Sequence, residues 1–292
     1  MARAGEAPVD APGNKYRWCV CDLDGTLLDG NGEVSPRDQA ALTRAAAAGV
    51  ELILATGRSD LMVGQYVRDL GVRMPIIACN GGLIRDARSR EILHVKPIAP
   101  ELAERLCHEF SARRHDFLVY TIDEVLFSPG SQRVARFETY NTLVEPDLRV
   151  PLVPLSGLTR DGSTPPILKF LVADMDEPMR QVFERRFNGG GELTIVSSER
   201  GVVDIMAPST TKGGALEMLA SARGVDLART IAFGDNYNDV SMLERCGFPI
   251  AMANAEAAVK HVAAYVTLSN EESGVGDALE RLILTNGAGG SA

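Results

Sequence analysis

Between residues 16 and 79 the chain alternates continuous apolar runs with stretches whose apolar positions recur at helical spacing. The run 16–21 is almost wholly apolar, as a strand buried on both faces should be. Ser35 then offers an N-cap, Pro36 suits the first helical turn, and Asp38 completes a start resembling a capping box. The Ala-rich helix that follows ends at Gly49. A second buried strand is predicted over 50–55, a helix over 60–70 closed by Gly71, and a third strand over 75–79. This order implies α/β architecture with a parallel, doubly wound sheet. The alternation returns near the C-terminus with a helix over 210–223, a strand over 230–233, a helix over 239–246 and a strand over 249–252. Segments 255–262, 265–268 and 275–284 complete it.

Between these halves the pattern changes. Helices are predicted over 100–114, 132–141 and 178–187, and strands over 117–121, 125–128, 167–173 and 193–197. Loops at 150–154 and 162–166 are rich in Pro, Gly and Ser. Strands arriving in hairpins beside helices predict an α+β module inserted into the α/β domain. The expected division is a core of 15–94 and 199–285 around an insert of 95–198. Residues 1–14 are expected to be a disordered leader, without the apolar stretch of a secretory signal, and 286–292 a disordered tail.

Composition narrows the function classes. A net charge of −9 would repel nucleic-acid phosphates, so no nucleic-acid partner is expected. No apolar run approaches the roughly 18 residues of a membrane span, so no membrane partner is expected either. Five cysteines point to a reducing compartment, with a cytoplasmic location expected. Cys19 and Cys21 share one face of the first strand and read as small buried hydrophobes. The four histidines show no zinc-ligand spacing.

Four short motifs carry the chemistry. Asp22-Leu23-Asp24-Gly25-Thr26 follows the first strand, where ligands of a doubly wound sheet bind. Two carboxylates one residue apart there call for a cation or a proton between them, and Gly25 allows a sharp turn. Thr56-Gly57-Arg58 follows the second strand and offers a hydroxyl and backbone amides to phosphate oxygens. Lys212 opens a predicted helix, where the helix dipole also favours an anion. Gly234-Asp235-Asn236-Tyr237-Asn238-Asp239 follows another buried strand, and its acid and amide oxygens suit Mg²⁺. Singly, each motif is also read as an ordinary turn or surface group. Three of the four follow strands of one sheet, so all can converge on one cleft.

Together these residues resemble the haloacid dehalogenase (HAD) superfamily of aspartate-nucleophile phosphatases, most closely its Cof-type branch, subfamily IIB. Asn80-Gly81-Gly82, Met252-Ala253-Asn254-Ala255 and Glu272-Ser273-Gly274-Val275 support the likeness, which runs from about residue 16 to 284. The resemblance implies a Rossmann-like HAD core with an inserted type-two (C2B) cap. Thr26 and Ala55 are only 29 positions apart, which leaves no room there for a cap, so the cap must follow Cys79. By the resemblance, Asp22 is the nucleophile and Asp24 the acid and then base. Leu23, Thr56, Gly57, Lys212 and Asn238 hold the phosphoryl group, and Asp22, Asp24 and Asp235 with Asn236 surround Mg²⁺. Asp239, Arg58 and Asn80 support them. The chain departs from the family pattern at Asp204, often glutamate, and at Ala207-Pro208, and neither change is expected to touch the chemistry.

The implied activity is Mg²⁺-dependent hydrolysis of a small phosphate ester through an aspartyl phosphate, on a single small-molecule partner. A phosphomutase of the same superfamily, similar to phosphomannomutases, is the alternative, and a non-catalytic phosphometabolite-binding protein a more distant one. Specificity is expected to lie in the cap, where Arg133, Lys169 and Asp174 are candidates for facing the cleft or for solvated surface positions. Sugar phosphates are the first substrate expectation, followed by nucleotide or cofactor phosphates such as flavin mononucleotide and pyridoxal phosphate.

Overall fold

The computed structural model describes residues 15–158, 164–199 and 201–284, so the expected leader and tail lie outside the described residues. Strand β1 (Trp18–Cys21) is buried throughout. Ser35 then accepts from the Asp38 amide at 3.0 Å and starts helix α1 (Pro36–Ala47), which leads into β2 (Glu51–Leu54). The predicted second helix is divided into a 3-10 turn (Asp60–Met62) and α2 (Gly64–Asp69), because Val63 leaves the helical region at φ −113°, ψ 0°. Strand β3 (Ile76–Ala78) follows. It pairs antiparallel with β4 (Leu83–Arg85), which pairs with β5 (Ile92–Val95), while a single parallel bridge from Ala55 to Ile77 ties this small sheet to the end of β2.

The inserted module comprises α3 (Pro100–Ala112), β6 (Phe117–Tyr120), β7 (Val125–Phe127), α4 (Val134–Leu143), β8 (Leu152–Pro154), β9 (Lys169–Ala173), α5 (Glu177–Phe187), β10 (Thr194–Glu199) and β11 (Val202–Met206). Its six strands form one sheet in the order β10-β11-β9-β6-β7-β8, antiparallel except for the β7–β8 pair. Two expectations change here. Residues 150–154 were read as loop, yet Leu152–Pro154 pairs with β7. Strand β11 was assigned to the core stretch beginning at 199, yet it lies between β9 and β10 of the insert. Strand β8 is short and its partner lies some way back in the chain, while β11 turns back on β10 at Glu199–Val202 and so stays with the insert.

Alternation along these strands gives the inserted sheet two faces. Phe117, Val119, Phe170, Val172, Val203 and Ile205 form an apolar cluster with Phe110 of α3 and with Phe183 and Phe187 of α5. The intervening residues Leu118, Tyr120, Lys169, Leu171 and Asp204 line a cleft with Asp22, Asp24, Gly57 and Arg58 at the ends of β1 and β2.

The remaining elements are α6 (Lys212–Arg223), β12 (Thr230–Gly234), α7 (Val240–Leu243), β13 (Phe248–Ala251), α8 (Ala257–Val262), β14 (Tyr265–Val266) and α9 (Gly274–Leu279). The core sheet runs β14-β13-β12-β1-β2 with every pair parallel. Its position between helices explains why β1 and β12 carry side chains buried on both faces. Helix α6 enters this layer through Gly213, where an added Cβ would fall 2.0 Å from the Ser241 carbonyl oxygen at the start of α7. Gly213→Ala is therefore expected to lower stability by about 1–3 kcal/mol through overpacking, read as a lower urea midpoint. An unchanged midpoint would show that the two helices separate without cost.

Candidate active site

Because β1 and β12 are adjacent and parallel, the loops leaving their carboxyl ends meet. Asp22 follows β1 directly, and its amide donates to the Phe233 carbonyl. At Gly25 the chain turns at φ +80°, and a Cβ there would lie 2.4 Å from Asp235 Oδ2. Only glycine lets the two loops approach so closely. Thr26 Oγ1 donates to Asp235 Oδ1 at 2.8 Å and fastens them together. Across the loop, Asp239 Oδ2 accepts from the amides of Asp235 and Asn236, both at 3.0 Å.

Lys212 stands at the centre of this arrangement. Thr211 caps α6 and aims the first helical side chain into the site, where its Nζ lies 2.6 Å from Asp22 Oδ1 and 2.7 Å from Asp239 Oδ1. The ammonium is fully buried, and the two carboxylates hold its pKa up against the opposing effect of burial. Burial pushes the Asp22 pKa well up, Lys212 opposes that shift, and the charges of Asp239 and Asp235 reinforce it. Asp235 is pushed up to about 7 by burial and by Asp239, against the Thr26 hydrogen bond and Lys212.

Three carboxylates facing one ammonium leave negative charge in excess. Asp22, Asp235 and Asp239 each present an oxygen, and these oxygens lie within 4.8 Å of one another. An all-oxygen, acidic donor set fits a hard divalent cation. Asn236 is turned differently from its expected metal role, since its Oδ1 accepts from the Tyr237 amide at 2.7 Å.

Asp24 faces the other way, toward solvent and the insert. Arg58 grips it with a fork, Nε to Oδ2 at 2.7 Å and Nη2 to Oδ1 at 2.6 Å. Arg136, in the first turn of α4, adds a contact to Oδ1 at 3.0 Å. Burial alone would raise the Asp24 pKa, but these guanidinium contacts outweigh it and hold the carboxyl below the usual range.

The expected phosphate-holding residues fall around this centre. Leu23 is fully buried, and Thr56 is buried with its Oγ1 accepting from the Arg58 amide at 3.1 Å. Gly57 and Asn238 line the cleft, and Asn238 Nδ2 donates to Asn80 Oδ1 at 2.9 Å. The cleft, about 270 Å³, also receives Arg133 and Lys169 from the insert. Asp174 is exposed and outside it. Asp204 lines the cleft and pairs with Lys169 at 3.0 Å. Lys169 does not reach for solvent but is almost completely buried. Sequence reading also missed Arg136 and Tyr120, because a lone Arg in a helix and a Tyr in a strand carry no spacing signal. Cys19 and Cys21 lie in β1 with sulfurs 3.7 Å apart, buried and away from the cleft lining.

A family model described as haloacid dehalogenase-like hydrolase matches residues 19–279. The chain belongs to this family, in its Cof-type branch. It is 30% identical to the pyridoxal phosphate phosphatase YbhA of Escherichia coli, over 84% of this chain and 90% of that protein. It is likewise 30% identical to the phosphatase YwpJ of Bacillus subtilis, over 90% and 98%. A HAD-like hydrolase structure from B. subtilis superposes with a TM-score of 0.79 at 26% identity, over 91% of this chain and all of that one. The subclass IIB sugar phosphatase BT4131 shares the fold, with a TM-score of 0.77 at 20% identity over 91% and 98%. This HAD-like chain is a phosphoric monoester hydrolase. Among the described residues no helix is long and apolar enough to cross a membrane.

Lys212→Met would leave Asp22 and Asp239 buried without their counter-charge. Breaking such a pair is expected to cost about 3–5 kcal/mol in urea unfolding at pH 7 with a chelator present. A loss below about 1 kcal/mol would show that the carboxylates relax without Lys212.

Proposed function

We propose that this HAD-like hydrolase is a Mg²⁺-dependent phosphatase that transfers the phosphoryl group to Asp22 and then to water. The observation that carries this reading is Asp22 itself, fixed at the end of β1 by Lys212 at 2.6 Å, with Asp24 two residues on at the cleft. In the first step an Asp22 oxygen forms a bond to phosphorus as the ester oxygen leaves, taking a proton from Asp24. In the second, Asp24 accepts a proton from water as the water oxygen bonds to phosphorus, and the bond from phosphorus to the Asp22 oxygen breaks to release phosphate and the free carboxylate. A cation held by Asp22 and Asp235, with Asp239 nearby, would offset the charge on the phosphoryl oxygens. Arg58 and Arg136 favour ionised Asp24, the form the second step needs. This reading takes the inserted sheet, from about residue 95 through Met206, as a cap over the cleft.

The walls of the cleft favour one class of leaving group. Tyr120 and Phe137 meet edge-on at 5.9 Å beside Leu118, Leu171 and Met62, and Arg133 and Arg136 stand at the side of α4. Among the described residues lining the cleft, the insert's carboxylate is Asp204, already paired with Lys169. A planar, anionic or heteroaromatic ester suits this surface better than a hydroxyl-rich sugar, in line with the pyridoxal phosphate phosphatase among the relatives.

Asp22→Asn is expected to reduce turnover by about three orders of magnitude or more with the thermal midpoint preserved, and wild-type rates in that variant would sink the nucleophile. Asp24→Asn should still accept phosphate from an ester with a good leaving group, so that phosphoenzyme accumulates and is trapped by mass spectrometry. With Mg²⁺ present and lost on chelation, kcat/KM for pyridoxal phosphate or flavin mononucleotide should exceed that for glucose 6-phosphate by about tenfold, the scale of one or two aromatic contacts. A preference for the sugar would overturn the substrate class and leave the phosphatase reading standing.

A further inference from the structure

Lys169 and Asp204 are both charged, and both are at most 3% exposed. Strands β9 and β11 are antiparallel, with Met206 opposite Lys169, so Asp204 sits diagonally across on the same face. The ammonium and carboxylate meet at 3.0 Å. A buried ion pair is seldom more stabilising than an apolar pair of equal size, so stability alone is a poor reason for one here.

The reach of the two side chains supplies a better reason. Lys169 Nζ donates to the Gly57 carbonyl at 2.8 Å, in the loop whose next residue, Arg58, grips Asp24. Asp204 Oδ2 accepts from Asn80 Nδ2 at 3.1 Å, and Asn80 Oδ1 in turn accepts from Asn238 at 2.9 Å. Asn80 is held in the left-handed region, φ 54° and ψ 27°, directly after Cys79 at φ 49°. Two successive non-glycine residues in that region are unusual, and the Asp204 hydrogen bond helps to hold the second in place. A single ion pair of the insert thus touches the Gly57 loop that lines the cleft and, on its other side, Asn80, which accepts from the cleft residue Asn238.

We infer that Lys169 and Asp204 are positioning residues for the chemical step, setting the Gly57 peptide and, through Asn80, the Asn238 amide. This rests on the reading of the cleft as the phosphoryl site. It differs from a specificity role for Lys169, whose ammonium already serves Gly57 and Asp204 and lies 4.5 Å over the Tyr120 ring. The insert then contributes to the reaction as well as covering it.

The test uses p-nitrophenyl phosphate with Mg²⁺. Wild-type turnover of this ester establishes the phosphatase reading, and its absence would defeat that reading separately. Lys169→Met and Asp204→Asn are each expected to lower kcat by about ten- to a hundredfold with KM nearly unchanged, the scale of a misplaced reacting group. The double variant Lys169→Met/Asp204→Leu should regain the wild-type thermal midpoint but not the wild-type kcat. Wild-type kcat in a stable double variant would reduce the pair to a structural role and overturn the proposal. Should the double variant not fold, isosteric Asp204→Asn decides, assayed well below its own thermal midpoint where it is fully folded: reduced kcat with KM nearly unchanged supports positioning, and unchanged kcat overturns it. A loss confined to KM for larger esters would assign Lys169 to specificity instead, and also overturns it.

Discussion

The structure is organised around an excess of buried negative charge. Asp22, Asp235 and Asp239 are brought together where β1 and β12 end, and Lys212 is the ammonium placed between them. Carboxylates so close repel each other in a low-dielectric setting, and nothing about a parallel sheet requires them. The fold meets this demand with several local devices: the Thr211 cap that aims Lys212, the glycine at 25 that admits Asp235, and the two amides that occupy one oxygen of Asp239. The remaining charge deficit makes the site fit for a cation and for an anionic substrate that arrives with one.

Around that centre the core and the insert are joined by contacts of two kinds. Arg136 reaches Asp24 from a half-exposed position, in a contact that solvent screens and that a small movement breaks. Lys169 and Asp204 reach Gly57 and Asn80 from a buried position, in a contact that resists separation. One face of the inserted sheet packs a cluster of phenylalanines against its helices, and the other presents polar groups to the cleft. The same two-residue alternation that stabilises the insert therefore determines which of its side chains reach the substrate space.

The chemical motifs were legible because each follows a strand. A buried apolar run ending in Asp-x-Asp-Gly, Thr-Gly-Arg or Gly-Asp predicts both the strand and the loop beyond it, and parallel β1, β2 and β12 carry those loops to one edge. Lys212 was legible only as part of that set, since a single lysine at a helix start has no signal of its own. The insert's end falls later than the expected residue 198 because the apolar run Val202–Met206 carries no local sign of which sheet takes it, and it pairs with β9 and β10. Lys169 and Asp204 stand in otherwise apolar strands, where Lys169 reads equally as a cleft-facing or a solvated group and Asp204 as a change without effect on the chemistry.

The sequence by itself determined the α/β order of the core, the presence of an α+β insertion after the third strand, and the identity of the motif residues. These follow from local periodicity and from short spacings that the chain carries in one dimension. Only the tertiary structure decided that Asp24 is gripped by Arg58 and Arg136, that Asp204 enters the cleft, and that Lys169 is buried against Gly57. Gly57 and Lys169 are 112 residues apart and Asn80 and Asp204 are 124 apart. Contacts at such separations depend on strand register and on the way two sheets face each other, and neither is written in the local pattern.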